Sequence, residues 1–133
     1  MTACLDANIL IYLIERNSFW EPKVAARIAS LRAAGEEIAV SDAARLECLV
    51  GPFQTGNVAD LASYAAFFAG PRSRTLPVTV AVWERAARIR ADHHFSALDA
   101  LHLATAVVHG CSRFLTNDAR LKKFPDIVVE ILV

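Results

Sequence analysis

Five short apolar runs, each separated from the next by helix-patterned sequence, constrain this chain more than anything else in it. They are "TACL", "EIAVS", "RTLPVT", "SRFLT" and the terminal "IVVEILV". Between them the apolar residues recur at helical spacing, as Val24, Ile28 and Leu31 do in "EPKVAARIASLRAAG". That stretch has Pro22 in its first turn and Gly35 as its stop. The remaining helices are predicted over about Asn8 to Glu15, from Ser41 or Asp42 as cap to about Val50 with Gly51-Pro52 ending it, and over "VADLASYAAFFAG". Two more follow, "AVWERAARIRADHH" opened near Thr79 and "ALDALHLATAVVHG" capped by Ser96, with "DARLKKF" as a short helix before the last strand. Pro77 cannot donate to a ladder, so "RTLPVT" is expected at a sheet edge. Strands alternating with helices predict an α/β domain with a mainly parallel sheet, whose ligands bind beyond the carboxyl ends of the strands where the strand order reverses.

No Pro-, Gly- or Ser-rich linker and no repeat divides the 133 residues, 55% of them apolar, so one domain over residues 1–133 is expected. Formal net charge is zero, which argues against a general nucleic-acid coat protein but leaves room for an acidic site offset by local basic patches. Cys4, Cys48 and Cys111 are scattered and form no CxxC, as expected of reduced thiols in a cytoplasmic protein. No leader peptide is read at the N-terminus, and the apolar runs fall short of a membrane span. A mean hydropathy of +0.35 points to apolar surface buried against another chain or simply to a tight core.

Four carboxylates stand in awkward places. Asp6 ends the first strand and Asp118 follows "RFLT", so both belong to one rim of the sheet. Each also reads as the cap of the helix behind it. Glu47 falls on the stripe marked by Ala43, Leu46 and Val50, where a charge is costly unless paired or bound; the alternatives are a salt bridge to a local Arg such as Arg45 or a place merely at the stripe's edge. Asp99 opens the most apolar helix and makes an S-x-x-D pattern with Ser96, close to a capping box. If all four face one rim, they cannot stay ionised together without a cation. Mg²⁺ or Mn²⁺ fits, because hard cations take oxygen ligands, and such a cation activates water against a phosphodiester. Arg113, Arg120, Lys122 and Lys123 near Asp118, with Arg72 and Arg74, are candidates for gripping a substrate or are plain surface charges. His102, one turn from Asp99, either assists it or is structural. Trp20, Trp83 and Phe67-Phe68 read as core or interface residues. No HExxH, Gly-rich phosphate loop or GxSxG is present.

The segments "LDANILIY", "SDAARLECLVG", "SALDALHLATA" and "FLTNDARL", in this order, resemble the PIN-domain family, and within it the compact VapC-type toxins of toxin–antitoxin pairs. The resemblance spans essentially the whole chain. It implies a Rossmann-like, three-layer α/β fold with a mainly parallel central sheet flanked by helices. It implies Mg²⁺- or Mn²⁺-dependent endoribonuclease activity, a homodimer, and inhibition by a small cognate antitoxin. On the family pattern Asp6, Glu47, Asp99 and Asp118 form the acidic cluster, and Asn8, Thr116 and Asn117 match its supporting polar positions. We expect Asp6, Asp99 and Asp118 to hold the metal and Glu47 to orient or deprotonate water. Apolar side chains such as Ile14, Phe67 and Phe53 are candidates for an antitoxin groove. Two other readings compete. A phosphoryl-transferring hydrolase would need a second Asp close after the first or a suitably placed Lys, but "LDANIL" has Asn8 and no Lys follows "RFLT" before Asn117-Asp118. A non-catalytic RNA- or protein-binding PIN-like module would have no use for four acids.

Overall fold

A computed structural model describes all residues, 1–133, as one five-stranded sheet with helices on both faces. The elements in chain order are β1 (Thr2–Leu5), α1 (Ala7–Ile14), α2 (Glu21–Ala33), β2 (Glu37–Ser41), α3 (Ala44–Thr55) and α4 (Val58–Ala69). There follow β3 (Ser73–Leu76), α5 (Val80–His93), α6 (Ala97–Val108), β4 (Arg113–Thr116), a 3₁₀ helix (Ala119–Lys123) and β5 (Val128–Ile131). The strand order is β3-β2-β1-β4-β5, and every neighbouring pair is parallel. The strand stopped by Pro77 lies at an edge, as expected, because an edge tolerates a missing donor.

Period-two alternation divides the strands between two cores. Ala3, Leu5, Ile38, Val40 and Leu115 pack against α1 to α4, with fully buried Tyr64 among them. Cys4, Phe114 and Val129 point the other way, onto α5 and α6. Burying a side chain the size of Phe114 or Leu103 contributes roughly 2–3 kcal/mol each. The three thiols are free, with Cys4 and Cys48 buried. In α6, the run from Ala100 to Ala106 is buried without a break. Its one interior hydroxyl, Thr105, is satisfied by Ser41 Oγ at 2.9 Å and by the Leu101 carbonyl.

The strand order reverses at β1, whose partners on its two sides are β2 and β4. The carboxyl ends of β1 and β4 therefore flank the place where such sheets bind ligands. α1 and α3 begin on this rim, directly after β1 and β2. α6 leads into β4 at the opposite end, so its first turn also lies on the rim. Glu47 and Asp99 occupy the first turns of α3 and α6, where the positive helix end favours an anion.

Two expectations for α3 are corrected. The helix runs through Gly51-Pro52 to Thr55 and stops at Gly56, whose φ of 66° is left-handed. Proline removes a single donor, and so late in the helix only Cys48 loses a partner for its carbonyl. Nor does Ser41 or Asp42 sit at the N-cap position, which is Ala43. Ser41 Oγ instead accepts the Ala43 N–H, and Asp42 pairs with Arg45.

Candidate active site

Asp6 is both a cap and a buried carboxylate. It is only 5% exposed; its Oδ1 accepts the Ala7 N–H at 2.8 Å, and its Oδ2 accepts the Thr116 hydroxyl at 2.7 Å. Burial pushes its pKa above the ordinary 3.8, partly offset by the nearby His102 ring and these hydrogen bonds. Asp6 thus caps α1, and its carboxylate is also buried on the rim at the end of β1.

From Asp6 a line of contacts crosses the rim. Thr116 Oγ1, donating to Asp6, accepts the Asp118 N–H at 3.0 Å. Asp118 caps the 3₁₀ helix through the Arg120 N–H, and the Arg120 guanidinium lies across its carboxylate, with Nε 3.0 and 3.2 Å from the two oxygens. That guanidinium holds the Asp118 pKa below the usual value. Arg120 Nη2 also stands 3.7 Å from Asp99 Oδ2. One turn along α6 from Asp99, His102 Nε2 is 2.6 Å from Glu47 Oε1. Thus the four acids, drawn from residues 6 to 118, share one rim.

They are nevertheless not a finished ligand set. No three acidic or histidine side chains converge as a cation would need. Each carboxylate is engaged locally instead: Asp6 by Thr116, Glu47 by His102, Asp118 and Asp99 by Arg120. The donor chemistry does fit a hard divalent cation, being all carboxylate oxygen, and buried Asn8 Oδ1 has no hydrogen-bond partner. Asn8 Nδ2 meets Asn117 Oδ1 at 2.6 Å, and Asn117 Nδ2 meets the Tyr12 hydroxyl at 3.1 Å. Asn8, Thr116 and Asn117 therefore do brace the rim.

The chain matches the PIN-domain family model over residues 3–127. It belongs to the PIN-domain family. Among solved structures, this PIN domain shares its fold with VapBC2 from Rickettsia felis bound to a promoter DNA fragment, at 17% identity, TM-score 0.78 and complete coverage of both chains. It is likewise similar to DNA-bound VapBC from Salmonella typhimurium, at 19% identity and TM-score 0.79, covering 100% of this chain and 99% of that one. A third is VapC20 from Mycobacterium tuberculosis, described as a sarcin-ricin loop cleaving toxin, at 19% identity and TM-score 0.67 over 84% and 86% of the two chains. No curated protein sequence matches it.

Several expectations about side chains in the PIN domain change. The inward face of α3 is Ala44, Cys48 and Pro52, while Leu46 and Val50 are 63% and 46% exposed. Glu47 lies beside that face for a different reason than its assumed stripe, and its partner is His102 rather than Arg45. Of the basic residues expected around the acids, only Arg120 touches them. Arg113 pairs with Glu36 and Glu130, Lys122 with the Val129 carbonyl, and Lys123 lies over the Phe95 ring. Arg72 and Arg74 sit at the amino end of β3, with Arg74 on Glu37. Tyr12 had gone unnoticed, though its i+4 spacing from Asn8 puts both on one helix face.

Proposed function

We propose that this PIN domain is a Mg²⁺- or Mn²⁺-dependent endoribonuclease and the toxin of a toxin–antitoxin pair. One observation carries the reading: four carboxylates from β1, α3, α6 and the 3₁₀ cap share the rim at the sheet's reversal point, with one exposed arginine as their only cationic side-chain partner besides the His102 ring. Asp6, Asp99 and Asp118 would hold the cation, which when bound supplies Lewis acidity toward the phosphodiester. Glu47, held by His102, would take a proton from the attacking water. Thr116 keeps the Asp6 carboxylate turned toward Asp118, and Asn8 with Asn117 fixes the turn between β4 and the 3₁₀ helix. The comparison with a described sarcin-ricin loop cleaving toxin supports RNA as substrate.

Two apolar surfaces suit the proposed partners. A groove of about 360 Å³ between α1, α2 and α4 is lined by Leu13, Ile14, Ile28 and Phe67, with Arg32 and Arg72 at its edge. We assign it to an apolar segment of the cognate antitoxin, in keeping with a similar solved structure described as a toxin–antitoxin complex. The outward strip Leu46, Val50 and Phe53 on α3 is the surface we assign to the second copy of a homodimer. No helix is long and apolar enough to cross a membrane, and an RNA-cleaving toxin would act in the cytoplasm.

The test is incubation of the purified chain with RNA and Mg²⁺, with and without EDTA, beside Asp99→Asn. Chelator-sensitive strand breaks that fall about a thousandfold in the variant are expected, the scale of losing an essential electrostatic group. RNA binding without cleavage would instead establish the non-catalytic module.

A further inference from the structure

Arg120 is held by carboxylates alone. Its Nε spans both oxygens of Asp118 and its Nη2 reaches toward Asp99, so one guanidinium bridges acids from the 3₁₀ helix and from α6. The side chain is 77% exposed, and no other side chain anchors it. Other arginines pair with acids outside this rim: Arg27 and Arg113 with Glu130, Arg85 with Asp126 and Arg88 with Asp92. A solvent-exposed ion pair of this kind is weak and readily exchanged. The same lone pairs of Asp118 cannot serve the guanidinium and a divalent cation at once.

We propose that Arg120 is an exchangeable placeholder: it neutralises Asp118 and Asp99 while no divalent cation is bound, and moves from them to a substrate phosphate when one enters. This rests on the ribonuclease reading and adds a residue to it. Three physical points support the exchange. A single guanidinium leaves four acids undercompensated, whereas a divalent ion brings twice the charge and accepts oxygen ligands from several directions. The planar fork that fits the Asp118 carboxylate fits a phosphate equally well. And because Arg120 is two residues beyond Asp118 on the rim itself, leaving the acids requires only side-chain rotation, not movement of the fold.

Linkage fixes the direction of each effect. A group that must be displaced lowers the apparent affinity of the ion that displaces it. Titration of the purified chain with Mn²⁺ by calorimetry should show Arg120→Ala binding about three- to tenfold more tightly than wild type, the scale expected for removing an exposed but forked pair. Arg120→Lys, which keeps the charge and loses the fork, should fall between them. In wild type, the Arg120 Nε–H resonance should shift on adding Mg²⁺ and lose its protection from exchange. With RNA and saturating Mg²⁺, Arg120→Ala should raise KM roughly tenfold with a smaller change in kcat, as loss of a phosphate contact does. Equal Mn²⁺ affinity in wild type and Arg120→Ala, with an Nε–H resonance indifferent to Mg²⁺, would overturn the exchange while leaving chelator-sensitive cleavage intact. Absence of both Mn²⁺ binding and cleavage in wild type would bring down the ribonuclease reading and the exchange with it.

Discussion

Two charged clusters of this protein use the same residue types to opposite ends. On the α2 side of the sheet, Arg27, Glu130, Arg113 and Glu36 alternate in sign: Arg27 Nε lies 2.6 Å from Glu130, and Arg113 lies 2.8 Å from both Glu130 and Glu36. Two positive charges answer two negative ones, each through forked hydrogen bonds. On the carboxyl rim, Asp6, Glu47, Asp99 and Asp118 face one arginine and one histidine ring. The first cluster is complete as it stands. The second has fewer positive partners than acids, and the pKa of its most buried acid, Asp6, is raised first by burial. A buried acid whose cationic partner is in place, such as Glu36, is therefore not by itself a sign of chemistry.

That contrast can be broken by mutation. Arg113→Ala leaves the Glu36 side chain, 4% exposed, without its partner. It should lower unfolding free energy by about 2–4 kcal/mol in urea denaturation, as stranding a buried charge does, while cleavage per folded molecule stays unchanged. Glu130 is held below its usual pKa of 4.5, first by Arg27 and then by Arg113. Its share of stability is thus present at neutral pH and disappears as acid carries the pH through that lowered value. In Arg27→Ala the acid loss should shrink. A stability unmoved by Arg113→Ala would mean that the paired cluster holds nothing together.

Asp6→Asn should act with the reverse sign and a smaller size. Folding raises the Asp6 pKa, so the carboxyl binds its proton more readily in the native state. Stability from this group is complete below the unfolded value of about 3.8 and is lost as pH rises through the higher folded value. At neutral pH the amide should make the cation-free protein more stable by roughly 1 kcal/mol, with the Thr116 hydroxyl turning to suit it. The gap from wild type should close as the pH falls toward 4. A destabilised Asp6→Asn at pH 7 would place Asp6 among the structural acids.

Much of the architecture was legible because parallel α/β order follows from local signals: strand-length apolar runs, helical periods, and Pro77 at an edge. Asp6 and Asp118 could be placed on the rim because strand ends are local too. What failed depended on distant partners. Glu47 meets His102 across 55 residues, Arg113 meets Glu36 across 77, and Arg27 meets Glu130 across 103. No spacing in the chain announces such pairs, so sequence alone leaves Arg113 open between a substrate contact and a surface charge, and His102 open between assisting Asp99 and a structural role. The face of α3 misled for another reason. Leu46, Val50 and Phe53 are apolar yet exposed, and a periodic stripe does not tell a core from apolar surface left in solvent.

Whether the rim acids form a cation site can be read from a crystal soaked in Mn²⁺, with data collected at the manganese edge. One or two anomalous peaks are expected among Asp6, Asp99 and Asp118, with the Arg120 guanidinium displaced from the acids. A soaked crystal with no peak there, and Arg120 still lying across Asp118, would contradict it.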